Sequence, residues 1–172
     1  EEYEPKLVHA ATQLLTSNAH PQELAAIGVA LAELQAFGHD YASQVVKNTK
    51  ALGKALTERG VKALYAEQNY SDTHTPLVEY ENAELAVNVF DNAGIAVNSC
   101  ELPWDEPGQR TGLRIGTQVV TRRGLGEQEM VRIADAIARI LVQGENPAQV
   151  RYELVLPLAR AFQGVAYSFD SD

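Results

Sequence analysis

With 172 residues, 45% of them hydrophobic and 22% charged, the chain is large enough to bury a real core in one domain, or in one domain plus an appendage. A net charge of −9 argues against a nucleic-acid or anionic-membrane partner, and no apolar run is long enough to span a bilayer. The single cysteine, Cys100, excludes an internal disulfide and fits a reducing cytosol, and no signal-peptide pattern opens the chain.

The start, Glu1-Glu2-Tyr3-Glu4-Pro5, has no initiator methionine and reads as that of a processed, excised or split-gene product. Tyr3 to Leu15 reads as a short helix with Leu7, Val8, Ala11, Leu14 and Leu15 on its apolar face. Thr16 to Pro21 is a break and then a helix start. Ser17 or Asn18 is placed to cap, Pro21 suits the first turn and Glu23 favours the N-terminus. From Pro21 to about Arg59 the pattern is helical almost throughout. Leu24, Ile27, Leu31, Leu34 and Phe37 form a stripe that Tyr41, Val45, Thr49, Leu52 and Leu56 continue. Gly38 is expected to kink this stretch or end one helix, and Gly60 to cap its C-terminus.

The period then changes. Val61 to Tyr65 and Thr75 to Tyr80 read as strands around the polar turn Glu67 to Asp72. Asn82 to Asn92 reads as a helix ended by Gly94, and Ile95 to Asn98 as a strand. Glu101 to Gln109 is a loop and Leu113 to Gly116 a strand. Gly126 to Gln143 is an amphipathic helix, and Pro147 opens a last helix to about Phe162, interrupted at Pro157. The expected architecture is α+β, or an α/β sheet with short connections. Residues 1–20 form a leading segment, residues 21–60 a long helical arm, and residues 61–172 a small α/β domain.

The most informative stretch is Arg110 to Gly124. Gly112-Leu113-Arg114-Ile115-Gly116 is a short strand between glycines, with Arg114 on the face opposite Leu113 and Ile115. A guanidinium on a stiff strand makes a good carboxylate clamp, because its planar fork donates two parallel hydrogen bonds. From the residues alone, an edge-strand arginine in a surface ion pair remains the alternative.

Thr111 to Thr117, followed by Val120-Thr121-Arg122-Arg123-Gly124, resembles the C-terminal signature of serine hydroxymethyltransferases, roughly S-G-[IL]-R-[IV]-G-T-P-A-x-T-x-R-G. Val45 to Leu52 resembles the family's V-x-K-N-A-K-A-L run. Ser71-Asp72-Thr73-His74 with Leu77-Val78-Glu79 resembles T-D-N-H-x-x-L-V-D, and Gly94 to Asn98 resembles G-I-x-V-N. The set covers nearly the whole chain, but only the C-terminal part of the family's length.

The resemblance implies the small domain of a pyridoxal-phosphate (PLP) enzyme of the aspartate-aminotransferase fold, in which PLP acts as the electron sink. Arg114 would grip the α-carboxylate of the amino-acid substrate. Ser17, Asn18 and His20 replace a glycine-rich loop that, in the family, meets the cofactor phosphate of a neighbouring subunit; an ordinary helix cap is the alternative. The family's Schiff-base lysine lies upstream of the matched part. Lys6, Lys47, Lys50, Lys54 and Lys62 lack its Thr-x-x-Lys-Thr context and read as solvated surface lysines. Catalytic chemistry therefore implies an N-terminal PLP-binding half, in the same polyprotein or a separate chain, and a homodimer or heteromer. Cys100 stands where the family has a folate-contacting asparagine, and the loop from Cys100 to Arg110 is shortened and carries Trp104. Both departures count against a tetrahydrofolate site.

Other residues have simpler readings. Asp72 and His74 form a turn-capping pair or an oriented imidazole. No histidine has metal-ligand spacing, so no metal site is expected. Cys100 is a small, partly buried thiol. Arg122 and Arg123 are a surface pair, one of which could face an anion. Trp104 covers a pocket or packs at a subunit contact. The function expected is cleavage or exchange of the Cα–Cβ bond of a β-hydroxy amino acid. The alternatives are a folate-independent aldolase or transaldolase, and a non-catalytic interaction module that keeps the fold.

Overall fold

The computed structural model of the chain describes residues 2–15 and 20–169. The chain separates into two compact units, the first ending at Ala36 and the second beginning at Phe37. In the first unit α1 (Glu4–His9) runs into a π-helical turn (Ala10–Leu15), and the early turns of α2 (Pro21–Glu58) follow. Leu24, Ile27, Leu31 and Leu34 all lie in this unit and are each more than half exposed.

α2 continues through Gly38 without a break, contrary to the sequence expectation. One glycine costs a helix interior only about 1 kcal/mol, and the helix-forming residues on either side outweigh it. The helix ends where expected. Gly60 takes φ +79°, Gly60 N–H donates to Thr57 O at 3.0 Å, and Val61 N–H donates to Leu56 O at 3.0 Å, a Schellman closure.

The second unit holds a three-stranded antiparallel sheet in the order β1 (Leu77–Glu79), β3 (Gly112–Arg114), β2 (Asn98–Cys100). β3 is central. Arg114 stands opposite Leu77 and Asn98, Leu113 opposite Val78 and Ser99, and Gly112 opposite Glu79 and Cys100. Val78 and Leu113 are fully buried. They share one core with Leu52 and Leu56 of α2, Phe90 of α3 (Ala83–Ala93) and Ile137 of α5 (Glu127–Leu141). Burying each such side chain contributes about 1.5–3 kcal/mol. α4 (Gln118–Arg122) joins β3 to α5.

Two expected strands differ. Val61 to Tyr65 gives only an isolated bridge, Ala63 to Val78. Tyr65 enters the left-handed region at φ 61°, which turns the chain into the 3₁₀ turn Ala66–Gln68 and ends the pairing. The strand expected from Ile95 starts at Asn98 instead, because the Ile95 N–H is taken by Phe90 O at 2.9 Å in the closure of α3 at Gly94. The last helix is interrupted as expected. α6 (Pro147–Val150) and α7 (Leu156–Ala161) are separated by a π-helical turn, Arg151–Val155. Pro157 has no N–H for the Glu153 carbonyl and its ring crowds that group, so the preceding turn widens.

Candidate functional site

The site is built on β3 and the two segments that enter and leave it. On the entry side, the Asp105 carboxylate accepts from Leu102 N at 2.8 Å, Thr111 N at 2.9 Å and Thr111 Oγ1 at 2.5 Å, which closes the loop 101–111. Burial acts to raise the Asp105 carboxyl, but these hydrogen bonds outweigh it and hold it below the usual carboxylate range. Gly112 then passes so close to β2 that a Cβ there would lie 2.7 Å from Cys100 Sγ.

On the exit side, a buried polar network fixes the chain after Arg114. Thr117 Oγ1 is 2.8 Å from Thr49 Oγ1, and Thr49 donates to Val45 O at 3.0 Å. Asn48 Nδ2 donates to Thr121 Oγ1 at 2.8 Å and to Leu125 O at 2.9 Å, while its Oδ1 accepts from Gln44 at 3.0 Å. Asn48, Thr49, Thr117 and Thr121 are all fully buried. Thr117 N–H also donates to His74 O at 3.0 Å. The loop exit is thus bolted both to α2 and to the segment leading into β1.

Arg114 is exposed, and among the described residues no side chain forms a hydrogen bond or ion pair with it. It lines two cavities. One, of about 1050 Å³, is lined by His74, Gly116 and Gln118 and by the apolar Ile115, Ile133 and Leu158. The other, of about 590 Å³, is polar and includes Asn98, Cys100, Glu84 and Arg110. Burial holds the Cys100 thiol above its ordinary value, with Arg114 pulling the other way, Asp105 adding to the rise and Arg110 opposing it.

Of the remaining candidates, His74 and Arg123 also line the larger cavity. Asp72 pairs with Lys50 at 2.7 Å, and what His74 gives to the network is its backbone carbonyl. Arg122 and Arg123 donate to the chain's own tail, Arg122 to Tyr167 O and Arg123 to Gln163 O at 2.7 Å. Trp104 is 55% exposed and lines neither cavity. His20 lies 4.0 Å from Glu23, whereas Ser17 and Asn18 lie outside the described residues. Among the described residues no three His, Cys, Asp or Glu side chains come together as a metal site.

Sequence reasoning missed the Asn48–Thr121 network, the Asp105 cap and the tail. The tail packs Tyr167 on Tyr41 and Phe169 on Phe37, each pair at 5.5 Å. A polar residue in the buried stripe of α2 was the signal available for the first.

The small sheet and the helices packed on it have the fold of the small domain of aspartate-aminotransferase-type enzymes, as the solved structure named below shares it. The serine hydroxymethyltransferase family model matches residues 1–137, and the chain belongs to that family, whose cofactor is PLP. It is 38% identical over 167 residues to the serine hydroxymethyltransferase of Methanocaldococcus jannaschii, spanning 91% of this chain and 38% of that protein. It is 41% identical over 158 residues to that of Pyrobaculum calidifontis, spanning 90% of this chain and 36% of that protein. Among solved structures, the L-threonine transaldolase of Pseudomonas fluorescens, in its internal aldimine state, superposes with a TM-score of 0.81 at 33% identity. That match covers 92% of this chain and 37% of the transaldolase. The chain therefore spans less than two fifths of the length of these relatives.

Neither cavity is lined by a lysine. Lys50 and Lys62 are held in ion pairs at 2.7 Å with Asp72 and Glu79, Lys54 lies 3.9 Å from Glu58, and Lys6 stands over the ring of Tyr3. Lys47 is exposed on α2.

Proposed function

We propose that this chain is the C-terminal part of a serine hydroxymethyltransferase-like enzyme acting on the Cα–Cβ bond of a β-hydroxy amino acid, and that Arg114 binds the substrate carboxylate. The observation that carries this reading is an exposed guanidinium, unneutralised by any acid among the described residues, that lines two cavities. A surface ion-pair arginine would have its carboxylate, and a bare module would have no reason to keep the charge unpaired. In this reading the Schiff-base lysine comes from an upstream segment or a separate chain. In this reading residues 1–20 pack on the cofactor-bearing domain, residues 21–60 form the inter-domain helix, and residues 61–172 are the small domain. Ser17, Asn18 and His20 lie near a cofactor phosphate, across a subunit boundary, and the assembly is a dimer or heteromer in the cytoplasm.

The kinship with a threonine transaldolase favours a second form of the same reading, in which no folate is used. A half-buried thiol at position 100 is a poor substitute for an asparagine that must hydrogen-bond a ligand. Retro-aldol activity that is indifferent to added tetrahydrofolate would select this form.

The lysine assignment is tested directly. Mixing the purified chain with PLP and borohydride is expected to leave no single modified lysine. A stoichiometric adduct at one of Lys6, Lys47, Lys50, Lys54 or Lys62 would overturn it.

A further inference from the structure

Arg114 closes β3 and Asn98 opens β2, and the register sets the two directly opposite each other. Residues paired in this way project their side chains to the same face of the sheet, with Cβ atoms about 4.5–5.5 Å apart. Both residues are exposed. On the other flank of Arg114 stands Leu77, which offers no polar side chain. The diagonal acid on that flank, Glu79, is held by Lys62 at 2.7 Å. In the row of the sheet that carries Arg114, the carboxamide of Asn98 is thus the polar side chain beside the guanidinium.

Two further observations bear on this pair. Among the described residues, Asn98 and Arg114 are the two that line both cavities, so a ligand in either one meets them together. The Asn98 side chain has no hydrogen-bond partner among the described residues. Asparagine is also a residue that strands disfavour, so packing on a pleated surface does not account for it at the place that faces the arginine.

We infer that Asn98 is a second carboxylate-binding residue, whose Nδ2 donates a hydrogen bond to the ligand carboxylate that Arg114 holds. The inference rests on the proposed role of Arg114. A guanidinium fork uses one lone pair on each carboxylate oxygen and leaves the others open. A carboxamide fills one of these with an uncharged donor. A cation at position 98 would repel Arg114, and an acid would neutralise it, because directly opposed residues interact at short range.

The test uses the complete enzyme and two probes, L-serine and 2-aminoethanol, which share an amine and a hydroxyl and differ in the carboxylate. Dissociation constants are measured calorimetrically. Asn98→Ala removes the donor at an exposed position. L-Serine should weaken about tenfold, as loss of a hydrogen bond to a charged group predicts, with 2-aminoethanol and the unfolding midpoint unchanged. Asn98→Leu keeps the size and branching of the side chain without the donor, and should give the same selective loss. An unchanged serine constant in both variants, or equal weakening of the two probes, would overturn the inference. Arg114→Lys tests the reading beneath it, and should also weaken L-serine more than 2-aminoethanol. If that selective loss is seen in Arg114→Lys and not in the Asn98 variants, the Asn98 inference fails alone. If Arg114→Lys leaves both constants unchanged, the Arg114 reading fails and takes the Asn98 inference with it.

Discussion

The carboxamide nitrogen of Asn48 on α2 stands 2.8 Å from Oγ1 of Thr121 on α4, and both residues are fully buried. This bond joins the long helix to the segment that leaves the Arg114 strand. The same nitrogen reaches Leu125 O, so one side chain serves two acceptors that have no water to turn to.

Asn48→Ala should therefore cost about 2–4 kcal/mol, because it strands Thr121 and the Leu125 carbonyl in the core. Urea unfolding of the variant would read this as a lower midpoint at unchanged slope. A loss below about 0.5 kcal/mol, the scale of an ordinary surface change, would mean the network is not held as described.

Gly112 makes a second, steric prediction. In Gly112→Ala the new methyl would meet Cys100 Sγ at 2.7 Å, Leu102 Cδ2 at 2.8 Å and the Cys100 carbonyl oxygen at 3.0 Å. The backbone oxygen cannot swing aside, so β2 and β3 must separate, at a cost of about 1–3 kcal/mol. Gly28→Ala is the control: nothing lies within 4 Å, and a helix interior gains up to about 1 kcal/mol. Thermal melts of the two variants should move in opposite directions, and equal shifts would contradict the close approach.

Asp105 gives the loop 101–111 a pH dependence. Its folded pKa lies below the unfolded value of about 3.9, since hydrogen bonds from Leu102 and Thr111 outweigh the burial that acts to raise it. A carboxylate depressed in this way stabilises the fold above the unfolded pKa, and that support is lost as pH falls through the folded value. Hydrogen exchange at the Thr111 amide should show opening that becomes easier below about pH 4. In Asp105→Asn that acid-induced change should be absent. A Thr111 amide equally protected in both proteins across this range would remove Asp105 as the clasp.

Much of this arrangement was legible in the residues themselves. The stripe Tyr41, Val45, Thr49, Leu52, Leu56 gave the buried face of α2, and the alternation Leu113, Arg114, Ile115 gave the strand and the outward arginine. Local pattern failed where a non-local or backbone event decided the outcome. Val61 to Tyr65 has strand composition, but a left-handed Tyr65 ends its pairing after one bridge. Ile95 has a β-branched side chain, yet its N–H is committed to closing α3. Asn48 bonds residues more than seventy positions away, and Asp105 and Thr111 meet only because the loop between them folds back. The tail carbonyls that Arg122 and Arg123 hold lie some forty residues away and could not be read from the pair itself.

The measurement closest to the central claim is the Michaelis constant for the β-hydroxy amino acid in Arg114→Lys, in the complete enzyme that contains this chain. Replacing a planar fork by a point charge should remove a charge-assisted contact of about 1.5–3 kcal/mol and raise KM about ten- to hundredfold. A KM equal to that of the unaltered enzyme, with full activity retained, would contradict the assignment of the carboxylate to Arg114.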